Sequence, residues 1–317
     1  MEQNIIIPTL FTVESFPQCS FPHGACITIG VFDGVHLGHQ AVLDALIQQS
    51  ILRNLPAIIF VIDPSPKLRM QEISIQPLTS LEYRIHLLYQ YARKKARGNI
   101  PIYCIHIPFT DDIAQYSAEE FVQEFLIPFC SVQHIVLGQG AFFGKDKGKS
   151  LQHHNYSIEY IPTVEYKEEA ISSTRIRSYI ENGNIEDANY CLGRYFSFTG
   201  TVVHGCKRGS TLLGFPTANT TIPLTLMPSR GVYAVYVLYQ SSRYLGVMNI
   251  GTNPTFAGIN LSLEVHIIDF DKMIYGELLT LQYCKKLREE QRFNHVEELI
   301  SQIKIDITDT KDYLQYK

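Results

Sequence analysis

At 317 residues, 45% hydrophobic and 18% charged, the chain is long enough for about two domains and apolar enough to fill their cores, which excludes a disordered protein. Its formal charge of −4 argues against a nucleic-acid partner, which needs a basic surface. No apolar run reaches the roughly 18 residues of a membrane span, and the N-terminal stretch MEQNIIIPTLFTVESF lacks a basic start and a small-residue cleavage site, so neither a membrane partner nor a signal peptide is expected.

Residues 26–31 (CITIGV) predict a buried strand, and 35–49 a helix with Leu37, Ala41 and Leu46 at helical spacing. Strands at 56–62, 102–107, 134–137 and 157–161 alternate with helices at 81–92 and 118–126, which implies a Rossmann-like parallel sheet wrapped by helices. After about residue 195 the pattern becomes strand upon strand: 199–204, 231–239, 244–250, 261–270 and 278–283. Close strands without helices predict a small antiparallel β-barrel. Phe293, Val296, Leu299, Ile300, Ile303 and Ile307 recur at three- and four-residue steps, predicting a C-terminal amphipathic helix. The domains are therefore expected at 1–184 and 185–317, divided in the Gly-Asn-rich stretch after Tyr179. The seven cysteines (19, 26, 104, 130, 191, 206 and 284) are scattered and never in C-x-x-C spacing, which points to reduced packing thiols in a cytoplasmic protein rather than to disulfides or zinc.

The segment GVFDGVHLGH, from Gly30 to His39, lies where the first strand hands over to the first helix. Ligands of such sheets bind outside the carboxyl ends of the strands, and a helix N-terminus offers unpaired N–H groups to phosphate. Gly30, Phe32 and Gly34 belong to the expected phosphate-binding turn. His36 and His39, three residues apart, share a helix face and could stabilise charge on an α-phosphate during nucleotidyl transfer. Far downstream, ISSTRIR supplies Ser172, Ser173, Thr174, Arg175 and Arg177, whose hydroxyls, N–H groups and guanidinium groups suit β- and γ-phosphates.

A second candidate site lies in GTVVHGCKRGSTLLGFPTAN, residues 200–219. Gly205, Gly209 and Gly214 would let backbone N–H groups approach phosphates. Pro216 favours an extended chain, so Thr217 and Asn219 point to one side as hard oxygen ligands for Mg²⁺. The segment LSLEVHIID (261–269) alternates strictly, with Glu264 on its polar face, where a carboxylate could act as general base.

GVFDGVHLGH followed by ISSTRIR resembles the nucleotidyltransferase module of bacterial bifunctional riboflavin kinase/FAD synthetases. The second half resembles their riboflavin kinase domain through G-x-V-V-H-G, L-G-F-P-T-A-N, G-V-Y, Asn249-Ile250-Gly251, E-V-H-x-x-D-F and Leu287-Arg288-x-Glu290. The resemblance implies ATP as co-substrate in both halves: AMP transfer to FMN with release of pyrophosphate in the first, riboflavin phosphorylation with Mg²⁺ in the second. It also implies that Thr217 and Asn219 bind metal and phosphate, that Glu264 is the base, and that Asn249 and Arg288 lie near the flavin. The chain departs from the family pattern at Ser65, where Pro64-Ser65-Pro66 stands for P-H-P, at Gly140, where an acid or amide is usual, and at Cys206 and Ser210 in the glycine loop. Lys145, Lys147 and Lys149 keep the loop after Gly140 basic. The alternatives are a kinase with an impaired adenylyltransferase domain, and a flavin-binding regulator without catalysis, which would have no use for a base beside a metal site.

Overall fold

The structure, a computed structural model, describes residues 21–64, 76–140, 143–148, 151, 155–204, 214–255 and 258–315. The chain divides into two units, residues 1–173 and 174–317. Ser65, Gly205, Cys206, Gly209, Ser210 and Lys149 lie outside the described residues.

In the first unit the apolar runs form β1 (Ala25–Gly30), β2 (Ala57–Asp63), β3 (Ile102–Pro108), β4 (Val132–Gly138) and β5 (Ser157–Ile161), all parallel, in the order β3-β2-β1-β4-β5. β1 is apolar apart from Thr28, because both sheet faces are covered. Ala25, Ile27 and Ile29 pack with Phe121, Leu126 and Phe129 on one face. Cys26 packs on the other with helices α1 (Leu37–Arg53) and α2 (Leu81–Ala96), through Leu43, Leu46 and Leu88. The strand order reverses between β1 and β4, and such a switch point opens a crevice at the strands' carboxyl ends. Gly30 and Gly138 stand at those two ends, so the histidine turn and the Gln139–Gly140 loop both start there.

The helix expected at 118–126 is interrupted. A turn of α-helix (α3, Ala118–Phe121) passes into a π-helical turn, Val122–Leu126, and then into α4 (Ile127–Cys130). Pro128 has no N–H to give the ladder, so the wider turn falls where an ordinary bond would already be lost. A two-stranded hairpin, β6 (Glu165–Tyr166) and β7 (Glu169–Ala170), leads to α5 (Ser173–Glu181).

In the second unit the Gly-Asn stretch after Tyr179 is short, and α6 (Ile185–Leu192) follows it at once. Ile185, Ala188, Cys191 and Leu192 are its buried stripe, and Gly193 ends it in the left-handed conformation. Six strands then close a barrel: β8 (Phe196–Val203), β9 (Ala218–Thr220), β10 (Gly231–Tyr239), β11 (Ser242–Thr255), β12 (Gly258–Ile267) and β13 (Leu278–Arg288), in the order β10-β11-β12-β9-β8-β13, with β13 pairing back onto β10. Every pairing is antiparallel. Tyr233 and Tyr283, both fully buried, meet edge to face at 5.4 Å in its core, and Phe196 and Phe198 pack against Tyr283. The five described cysteines, Cys26, Cys104, Cys130, Cys191 and Cys284, are free and buried. Burial raises the pKa of Cys26 and pushes Cys104 up to about 12, so both are neutral packing groups.

The C-terminal helix, α7 (Val296–Gln315), runs beyond the expected stripe. Its last three turns are held by polar contacts. The Asp306 carboxylate accepts from Arg288 Nε at 2.9 Å and from an Arg288 terminal nitrogen at 2.8 Å, and the carbonyl of Leu314 accepts from the Tyr236 hydroxyl. Asp306 is 2% exposed. Asp306→Ala would leave the Arg288 charge beneath the helix uncompensated, and urea denaturation of the variant is expected to show a loss of about 3 kcal/mol. An unchanged midpoint would mean the pair does not hold helix to barrel.

Candidate active sites

In the first unit, Phe32, Gly34 and Val35 take left-handed backbone conformations, with φ of 54°, 81° and 42°. Only glycine adopts this freely, and a β-branched valine there is a strained exception. The turn that results makes His36 the N-cap of α1, and its Nδ1 accepts the backbone N–H of His39 at 3.4 Å. The imidazole proton of neutral His36 is thereby placed on Nε2. The two rings stack at 3.6 Å, and Phe32 meets His39 edge-on at 5.3 Å. Gly38 passes close beneath this stack: a Cβ there would stand 3.1 Å from the His36 ring and would push it by a few tenths of an ångström.

The first residues of the downstream ISSTRIR motif, Ile171 and Ser173, reach the same turn within the first unit. Ser173 Oγ donates to the carbonyl of Asp33 at 2.8 Å, and the carbonyl of Ile171 passes Gly38. Ser172 lies beside Ser173 at the start of α5, half-buried. Thr174, Arg175 and Arg177 follow on that helix in the second unit, where the Arg175 guanidinium lies over the Tyr179 ring at 5.3 Å. Lys145 pairs with Glu120 at 3.6 Å, both well exposed. Asp33, Thr79 and Arg84 are not among the residues that the sequence motifs single out, yet they meet behind this turn. Asp33 accepts the backbone N–H groups of Leu78 and Thr79 at 3.0 and 3.1 Å, and Thr79 Oγ1 accepts that of Gly34 at 3.2 Å. A trace of this was present in the sequence: Arg84 sits four residues before Leu88 and eight before Ala92, on the apolar stripe of its helix.

In the second unit the barrel register assembles the other candidate residues. Glu264 on β12 stands opposite Asn219 on β9 and opposite Asn249 on β11. Directly opposed residues share a face, with Cβ atoms about 5 Å apart, so a carboxylate is flanked by two amides. All three are half-buried, while Leu263, Val265 and Ile267 of β12 are in the core. Thr217 lies just before β9. His266, the next outward residue after Glu264, bonds the carbonyl of Pro216 at 2.8 Å through Nδ1 and meets Phe215 edge-on. It thus anchors the P-T-A-N segment to the strand that carries Glu264. Gly214 is left-handed, with no atom of the described residues within 4 Å of its Cβ position. Gly251 lies between Glu290 and Asn249, where a Cβ would meet Glu290 Oε1 at 2.7 Å. Arg288 is committed to Asp306, with its guanidinium over the Phe293 ring.

Thr217 and Asn219 offer hard oxygens beside a carboxylate. That donor set fits Mg²⁺, which takes few protein ligands and completes its shell with phosphate and water. Among the described residues no cluster of three or more His, Cys, Asp or Glu side chains forms a metal cage.

Two family models match the chain: FAD synthetase over residues 19–175 and riboflavin kinase over 192–314. A bifunctional riboflavin kinase/FMN adenylyltransferase of Listeria monocytogenes is 37% identical over 297 residues, covering 90% of this chain and 91% of its own. The protein of that description from Escherichia coli K12 is 33% identical and covers 97% of each chain. The fold is also similar to a solved Streptococcus pneumoniae structure described as a macrolide-efflux protein, with TM-score 0.83 and 28% identity over 95% of this chain and 98% of that one. Among the described residues no helix is long and apolar enough to cross a membrane. The presence of both domain matches favours the two-activity reading over a kinase alone. The chain belongs to the bifunctional riboflavin kinase/FMN adenylyltransferase family.

Proposed function

We propose that this chain phosphorylates riboflavin to FMN in its C-terminal domain and adenylylates FMN to FAD in its N-terminal domain, using ATP in both steps, in the cytoplasm. The reading divides the two functions near residue 185, and family matches over 19–175 and 192–314 are compatible with that division. The observation that carries the kinase reading is Glu264 held in register between Asn219 and Asn249.

In this reading Glu264 takes the proton of the ribityl hydroxyl as that oxygen attacks the γ-phosphorus of ATP, and the bond to ADP breaks. Thr217 and Asn219 would hold Mg²⁺, which when bound would neutralise charge on the transferring phosphates. Gly205, Gly209 and Gly214 offer backbone N–H groups to the phosphates. Asn249 is a flavin contact beside the base, and Arg288 shapes the flavin side from its bond to Asp306. In the first unit a phosphate oxygen of FMN attacks the α-phosphorus of ATP and pyrophosphate departs. His36 and His39 hydrogen-bond the α-phosphate, whose charge grows in the transition state. Gly30, Phe32 and Gly34 shape the turn beneath it, and Ser172, Ser173, Thr174, Arg175 and Arg177 receive the β- and γ-phosphates.

The test is to incubate the purified protein with riboflavin, ATP and Mg²⁺ and to separate the flavins by chromatography. FMN and FAD are both expected. FMN without FAD would overturn the adenylyltransferase half, and absence of both would overturn the whole reading.

A further inference from the structure

Arg84 is among the largest fully buried side chains of the molecule, at 2% exposure. A guanidinium stays charged at any ordinary pH, and burying it is costly unless each donor is satisfied. Here its donors converge on the turn that carries the histidines. One terminal nitrogen donates to the carbonyl of Val31 and to Asp63 Oδ1, each at 3.0 Å. The other donates to the carbonyl of Thr79 at 3.1 Å and stands 3.7 Å from Asp33 Oδ1. Nε reaches Thr79 Oγ1 at 3.4 Å.

These contacts bracket the strained run Phe32–Val35. Val31 is fixed before it through its carbonyl, and Asp33 within it through the carboxylate that also binds Leu78 and Thr79. Gly34 is fixed by the same threonine hydroxyl that receives Arg84 Nε. Asp63 ends β2 and Val31 follows β1, so the guanidinium also ties the carboxyl ends of neighbouring strands. Left-handed residues in sequence persist only when their surroundings over-determine them. His36 comes directly after that run, and its position at the helix cap depends on where the run ends.

We propose that Arg84 is a positioning residue for adenylyl transfer: through Asp33, Thr79 and the Val31 carbonyl it holds the left-handed turn that aims His36 and His39. It touches neither histidine. Its effect passes through the backbone, and lysine, with one point of charge, cannot satisfy carbonyl and carboxylate partners in several directions at once.

The inference rests on reading the first unit as an adenylyltransferase. Its test uses the full chain, with riboflavin phosphorylation by the same preparation as internal control. Arg84→Lys is expected to lower kcat for FAD formation from FMN and ATP by about 10- to 100-fold, as displacement of a catalytic group on the order of 1 Å does. The KM for FMN and the rate of FMN formation should stay within about twofold of wild type, since a positioning loss falls on the transition state rather than on ground-state binding. Arg84→Ala should regain part of its FAD synthesis when guanidinium chloride is added at low millimolar concentration, and none with sodium chloride. Should the alanine variant fail to fold, Thr79→Val removes the shared hydroxyl while keeping the ion pairs, and a fall in kcat for FAD formation with normal FMN formation is expected there too. A lysine variant with wild-type kcat, or equal loss of both activities in Arg84→Lys and Thr79→Val, would overturn the proposal. A wild-type protein that makes FMN but no FAD would overturn the adenylyltransferase reading, and this inference with it.

Discussion

Glu264→Gln is expected to lower kcat for riboflavin phosphorylation by about 100-fold, the lower range of what a positioned general base contributes. Glutamine keeps the shape of the side chain and its capacity to accept a hydrogen bond, but it cannot take a proton. Asn219 and Asn249 remain opposite it in the barrel register, so the strand pairing has no reason to change. The thermal midpoint and the KM for riboflavin should therefore stay near wild type, and FAD synthesis from supplied FMN should be untouched. A glutamine variant with wild-type kcat would remove the base assignment and leave Glu264 as a polar residue on a half-exposed strand.

His36→Asn is expected to reduce FAD synthesis by about 100- to 1,000-fold, the scale on which loss of one donor to a developing oxyanion is felt. Asparagine is chosen because His36 serves two purposes. It caps α1 by accepting the His39 N–H, and it presents an imidazole stacked on His39. Asparagine is a good N-cap, so the helix keeps its terminal hydrogen bond while the ring is lost. Fluorescence-detected unfolding should then match wild type, and FMN formation from riboflavin should continue at its normal rate. Normal FAD synthesis in this variant would show that the imidazole acts only as a cap.

Much of the fold was legible in the sequence because it rests on short-range pattern. The apolar run at 26–31 became β1, buried on both faces, and the strict alternation of LSLEVHIID put Leu263, Val265 and Ile267 in the core and Glu264 on the other face. The motif GVFDGVHLGH also contained its own geometry: a strand end, glycine where the chain turns left-handed, and histidines at helical spacing. Other elements carry weak local signals. β9 is three residues long and is a strand only because β8 and β12 flank it. The last three turns of the C-terminal helix contain Asp306, Asp309 and Thr310, which break the apolar period, and Asp306 and Thr310 are buried because Arg288 and the helix's own carbonyls satisfy them.

Sequence by itself determined the two architectures and the residue types of both candidate sites, since periodicity and turn chemistry act over a few residues. Tertiary structure alone decided which side chains meet. Closure of the barrel set Asn219 and Asn249 on either side of Glu264, although Asn219 lies 45 residues from it in the chain. Packing of α2 against the sheet brought Arg84 beneath the histidine turn, across 51 residues from Asp33. Such pairings depend on strand register and on the balance between burying a charge and satisfying it, and neither is written in a local stretch of residues.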